Sequence, residues 1–210
     1  MYTKNKMISK EELQVVKVFR KDLFKEYSIK DIMKIMKKNS YSWVFNSVKK
    51  ILKLDLIVFS EKAGIKLYSI NWNNPLVFRY FSILDYENVS KLPIKNILDI
   101  INETPVDYFS LLIGGSYAKD KNVKNSDLDV IILVENKSDI QRVFNVINNK
   151  SSLMIPQVDL HVFSRGEFLE MLLTKEENFG KQVFENNLIL FGAESYYLIL
   201  KEAKENGFRS

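Results

Sequence analysis

Apolar positions along the chain follow two regimes. Before Asp107 they recur at helical spacing except in two extended runs between about 54 and 70; from Asp107 they gather into short runs separated by helical stretches. Residues 9–26 place Leu13, Val16, Phe19 and Leu23 at helical intervals, behind Ser9 and Glu12 at capping-box spacing. Ser28 and Asp31 repeat that spacing, and Ile29, Ile32, Met33 and Met36 follow at i, i+3, i+4 and i+7. Asn39-Ser40 breaks the pattern. A third helix over about 41–54 turns Val44, Val48, Ile51 and Leu52 inward and Ser42, Trp43, Asn46, Lys49, Lys50 and Lys53 outward. Two extended runs, LDLIVFS and IKLYSI, flank a turn at Glu61–Gly64 and predict a β-hairpin. Asn73-Asn74-Pro75 opens a helix to about Asn88, and Pro93 begins another through Ile101. Strands are expected at 107–113, 128–134, 157–163 and 188–191, and helices at 116–121, 138–149, 165–175, 177–186 and 194–205. That alternation predicts an α/β (α+β) second part with a largely buried sheet.

Three helices and a hairpin, in that order, predict a winged helix-turn-helix over residues 1–72, with the third helix as recognition helix and Lys62 and Lys66 on the wing. Charge changes the weight of this reading. Residues 1–70 hold 16 Lys and Arg against 7 Asp and Glu; residues 71–210 hold 15 against 19. A basic module joined to an acidic one fits duplex DNA as the partner of the first. The bland reading is a helical adaptor whose lysines are a solvated face. Residues 73–92 form a helical connector and a candidate homodimerisation helix, and 93–210 form the second domain.

Composition excludes several classes. The chain has no Cys, so disulfide scaffolds, Cys-ligated zinc and thiol catalysis are out. Only 7 Gly and 4 Pro among 210 residues leave little room for long loops. The N-terminus has no apolar run, and stretches such as VIILV and LILF fall far short of the ~18 residues of a membrane span. A cytoplasmic protein without a membrane partner is expected.

The chemistry concentrates in LLIGGSYAKDKNVKNSDLDVIILV. An apolar strand runs into Gly114-Gly115-Ser116; ten residues on, Asp127-Leu128-Asp129 opens another apolar strand; Asp159 lies in the apolar frame VDLHVF. Residues i and i+2 of a strand share a face, so Asp127 and Asp129 are expected to point together while Leu128 and Val130 enter the core. Paired carboxylates repel unless cations lie between them, and hard oxygen donors suit Mg²⁺, with Mn²⁺ able to stand in. Asp159 would complete a triad for two metals, the arrangement of in-line phosphoryl transfer. Gly114 and Gly115 would let backbone N–H groups approach a triphosphate, with Ser116 adding a hydroxyl at a helix N-terminus. His161 shares a strand face with Asp159, where it either lines the site or sits satisfied within the sheet. Arg165, just beyond, meets phosphate or lies on the surface.

Gly-Ser, ten residues, Asp-x-Asp and a later Asp between apolar residues resemble the signature of the DNA polymerase beta-like nucleotidyltransferase superfamily. The chain is most similar to minimal nucleotidyltransferases, akin to antibiotic nucleotidyltransferases and to the antitoxin partners of HEPN proteins. The resemblance spans about 93–205, including the tail FLEMLLTKEENFGKQVFENNLILFGAESYYLIL. It implies a small mixed sheet flanked by helices and Mg²⁺-dependent transfer of a nucleoside monophosphate, expected to be AMP from ATP, with release of pyrophosphate. Asp127 and Asp129 would hold both metals. Asp159 would hold the catalytic one and help deprotonate the attacking hydroxyl. Gly114, Gly115, Ser116 and Lys119 would bind the nucleotide. Many minimal members have Arg where this chain has Lys119, which keeps the charge but not bidentate phosphate binding. The acceptor stays open: a protein hydroxyl, an RNA end or a small molecule. Two other classes stand beside the enzyme: a DNA-binding regulator that senses nucleotide, and an antitoxin-like partner of a HEPN protein.

Overall fold

Capped helices open the chain in the computed structural model, which describes residues 8–87, 89–119 and 126–209. Helices α1 (Lys10–Lys21), α2 (Ile29–Met36) and α3 (Tyr41–Lys53) start at Ser9, Ser28 and Ser40, each hydroxyl accepting a first-turn N–H. Glu12 and Asp31 complete the first two capping boxes. Each such cap stabilises by about 1 kcal/mol. Hydrogen bonds from Ser28 hold the Asp31 carboxyl below its ordinary range.

The first helix stops at Lys21 rather than near residue 26. The chain then becomes extended, and Tyr27 exchanges two 2.8 Å backbone hydrogen bonds with Tyr68. This nonlocal pairing overrides the local helical spacing; Leu23 is buried all the same. Val16, Phe19, Ile32, Val44, Val48 and Ile51 form the core of this part. On α3 the buried set is Val44, Ser47, Val48 and Ile51, whereas Leu52, expected inward, is only half-buried.

Strands β1 (Ile57–Lys62) and β2 (Ile65–Ile70) pair antiparallel. Ala63 and Gly64 both have positive φ, 49° and 75°, as a tight two-residue hairpin turn requires. Helix α4 (Leu76–Tyr86) begins where Asn74 Oδ1 accepts the Leu76 N–H at 3.1 Å. The chain divides into two compact units, one up to Leu84 and one from Asp85 to Arg209.

The second unit runs α5 (Ile94–Glu103), β3 (Phe109–Ile113), α6 (Gly115–Ala118), β4 (Leu128–Val134), α7 (Ile140–Ser151), β5 (Val158–Ser164), α8 (Arg165–Leu173), α9 (Phe179–Glu185), β6 (Leu188–Phe191) and α10 (Ala193–Glu205). The sheet order is β5-β4-β3-β6, with β4 and β5 parallel and the other pairs antiparallel. Helix α7 carries the parallel crossover. One sheet face, with Leu111, Ile113, Leu128, Val130 and Ile132, packs with Ile97 and Ile100 of α5 and Val143 and Ile147 of α7. The alternate residues Leu112, Ile131 and Leu133 are buried too, on the face covered by α8 and α10. A sheet covered on both faces explains why β3 and β4 read as continuous apolar runs. This is a small mixed sheet flanked by helices.

Candidate functional site

Parallel pairing of β4 and β5 sets Asp129 opposite Asp159, with Ile131 opposite His161 and Leu133 opposite Phe163. By strand alternation all six lie on the sheet face away from α5 and α7. Asp129 is half-buried inside an otherwise fully buried strand. Burial first, and the Asp159 charge second, push its carboxyl above the ordinary range. The Asp159 side chain is more open, 54% exposed, and its Oδ2 lies 3.3 Å from His161 Nε2. The His161 ring packs on Phe179 at 4.3 Å between centroids and lies parallel to Phe163 at 6.3 Å. Phe179 opens α9, whose cap residue Asn178 is anchored by a 2.7 Å hydrogen bond to the Met171 carbonyl. His161 thus belongs to the carboxylate site, held from above by an aromatic.

The glycine turn touches this site directly. The Gly114 N–H donates to the Asp129 carbonyl at 3.0 Å. Gly115 has φ +55°, and a Cβ there would overlap the Asp129 carboxylate. The turn therefore needs glycine twice over, for its dihedral and for the carboxylate it admits. Ser116 is half-buried and lies in the first turn of the four-residue α6, whose cap is Gly114. So short a helix has little macrodipole. Lys119 closes α6 and is exposed; the rest of the predicted helix 116–121 lies outside the described residues.

Asp127 precedes β4, which begins at Leu128, and is exposed. Among the described residues no three His, Asp or Glu side chains gather closely enough to hold a metal ion. Asp129 and Asp159 are cross-strand neighbours, and the Asp127 charge adds, less strongly, to the upward push on the Asp129 carboxyl. The donor chemistry still fits a hard divalent cation: all three are carboxylates, and Asp129 carries charge that its surroundings disfavour. Arg165 lies at the far end of β5 and pairs with Glu202. A cavity of about 250 Å³ lined by Phe109, Leu133, Glu135 and Arg165 also lies at that end, not beside Asp129.

In the first unit, Ser42, Asn46, Lys49 and Lys53 are exposed along α3 as expected. Three other candidates are engaged. Lys50 pairs with Glu12 of α1 at 2.6 Å, Lys62 pairs with Glu26 at 2.5 Å, and Trp43 is half-buried with Lys38 Nζ 5.4 Å from its ring centre. Lys66 lies 4.9 Å over the Phe59 ring. The outward face also carries Tyr41 and Phe45, 52% and 40% exposed, stacked at 6.0 Å. The same helical count that turns Lys49 outward places these two beside it.

Residues 94–189 match the nucleotidyltransferase domain family. The match runs from the start of α5 into β6 and so contains the glycine turn and all three carboxylates. It supports nucleotidyl transfer as the general activity of the second unit. Among solved structures, the chain is similar to one described as a crystal structure of the toxin-antitoxin with AMP-PNP, at 13% identity, covering 55% of this chain and 86% of that chain, with a TM-score of 0.36. No curated protein matches.

Proposed function

We propose that the second unit transfers a nucleoside monophosphate, AMP from ATP, to a hydroxyl acceptor, and that the first unit is a winged helix-turn-helix that binds duplex DNA. The observation that carries the enzyme reading is the in-register Asp129–Asp159 pair with Gly115 against the Asp129 carboxylate. Asp127, Asp129 and Asp159 would hold Mg²⁺, which neutralises triphosphate charge and acidifies the attacking hydroxyl when bound. The acceptor oxygen attacks the α-phosphorus, the bond to pyrophosphate breaks, and the hydroxyl proton passes to Asp159. Gly115 lets the turn close on the Asp129 carboxylate, beside which the turn would meet the triphosphate, and Lys119 supplies a cation. A HEPN-type protein is the proposed macromolecular acceptor, on the resemblance of the motif. The DNA reading draws on the basic charge of the first unit and on the lysines exposed along α3.

The test uses the full chain with α- and γ-labelled NTPs, Mg²⁺, and an acceptor panel of RNA ends, aminoglycoside hydroxyls and a HEPN-type protein. Label should move from the α position only, with pyrophosphate released, and ATP should serve best. Magnesium-dependent NTP binding without transfer to any acceptor would replace the enzyme by a nucleotide sensor. NTP binding indifferent to Asp129→Asn and Asp159→Asn would remove the site altogether.

A further inference from the structure

Helix α3 presents Tyr41, Ser42, Phe45, Asn46, Lys49 and Lys53 on one exposed face. The composition of that stripe is uneven. Its first half carries two stacked aromatic rings and an amide; its second half carries the lysines. Exposed aromatics with basic residues further along the same helix call for a ligand with both apolar and anionic groups. Duplex DNA has both: phosphates along its backbone and thymine 5-methyl groups in its major groove. A recognition helix reads base edges with its N-terminal residues, which is where the rings and Asn46 stand. An Asn amide pairs bidentately with adenine N6 and N7, and an aromatic edge packs on a thymine methyl. Guanine is read by Arg or Lys; Arg is absent from this stripe, and its lysines, Lys49 and Lys53, stand in the second half rather than among the N-terminal positions. Residues 1–70 contain 15 Lys but one Arg, Arg20, which lies on α1 and not on α3.

We infer that α3 reads A·T base pairs: Asn46 addresses adenine, the Tyr41–Phe45 stack addresses the thymine methyl, and Lys49 and Lys53 hold phosphates. This inference rests on the DNA-binding reading above. Charge complementarity selects the ligand, because the net charge of residues 1–70 opposes that of a duplex.

The experiment measures anisotropy of the full chain with three duplexes of equal length: A·T-rich, G·C-rich, and the A·T-rich sequence with every thymine replaced by deoxyuridine. The last keeps base pairing and removes only the methyls. Affinity should fall about fourfold for each methyl that had packed on the rings, the fold-change of roughly one buried CH₂. Phe45→Ala should erase the thymine–uracil difference while keeping the salt dependence. Asn46→Ala should weaken the A·T over G·C preference by about fivefold or more. Tyr41 and Phe45 are exposed, so the fold should survive, and the deoxyuridine comparison needs no variant. Equal affinity for all three duplexes would overturn this inference and leave DNA binding standing. Absence of binding to any duplex would overturn the DNA reading itself. If self-association is then lost in Tyr41→Ala with Phe45→Ala, the stripe is a protein contact.

Discussion

The carboxylate of Asp129 lies where a side chain on Gly115 would begin. Two segments that lie apart in the chain, the turn after β3 and the start of β4, are thereby fitted together through a missing Cβ. Gly115→Ala should lower stability through two effects. A left-handed dihedral costs an L-residue roughly 1–2 kcal/mol, and overpacking adds about 1–3 kcal/mol. Shortening the neighbour with Asp129→Ala should relieve the second effect and leave the first. Urea denaturation of both single variants and the double variant checks this. Coupling above about 0.5 kcal/mol is expected, and strictly additive effects would show that the two residues do not meet.

Asp129 should have opposite effects on activity and stability. Its folded carboxyl is pushed above the ordinary Asp value of 3.8, by burial and then by Asp159. A group whose folded value is raised binds its proton more tightly in the native state, so its contribution to stability falls as pH rises through that value. Asp129→Asn removes this penalty. Without metal, the variant should melt at or above wild type at pH 7, and the difference should close as pH falls toward 3.8, the ordinary value. Nucleotidyl transfer should be lost in the same variant. A metal-free variant melting below wild type at neutral pH would contradict the assigned electrostatics.

Local signals in the sequence locate most elements, because caps and apolar runs act over a few residues. β4 and β6 fall at 128–134 and 188–191, as their apolar runs predict. Both Ser-x-x-acid boxes close as spaced. What escaped depends on partners distant in the chain. The end of α1 is set by Tyr27 meeting Tyr68, and Lys50 and Lys62 are occupied by Glu12 and Glu26. Asp-x-Asp was legible as a pair on one strand, but β4 starts one residue after Asp127. Asp159 is grouped with Asp129 by the motif already, and the parallel register of β4 and β5 adds that the two stand directly opposite each other.

His161 should act through Asp159. Its Nε2 lies 3.3 Å from the Asp159 carboxylate, and Phe179 fixes its ring from the other side. His161→Phe keeps an aromatic in the stack and removes the nitrogen. The fold should persist, while the Mg²⁺ concentration needed for half-maximal NTP binding should rise about tenfold, as when a metal ligand is deprived of its hydrogen-bond partner. Fluorescence titration of Mg²⁺ at fixed NTP reads this. An unchanged midpoint would make His161 a packing residue only.

The lysines of α3 should separate into binding and folding roles. Lys49 and Lys53 are exposed along the stripe, whereas Lys50 meets Glu12 in an ion pair, with side chains 33% and 16% exposed. Glu12 also closes the capping box of α1, so Lys50 steadies the packing of α1 on α3. Lys49→Ala with Lys53→Ala should leave melting unchanged and reduce the slope of log K against log salt by about 0.9 for each phosphate no longer neutralised. Lys50→Ala should do the reverse: stability lower by up to about 1 kcal/mol, given the partly solvated pair, and the salt slope kept. Salt titrations of duplex binding beside thermal melts distinguish the two. The assignment fails if Lys50→Ala flattens the slope as much as the double variant, because Lys50 would then leave Glu12 for phosphate.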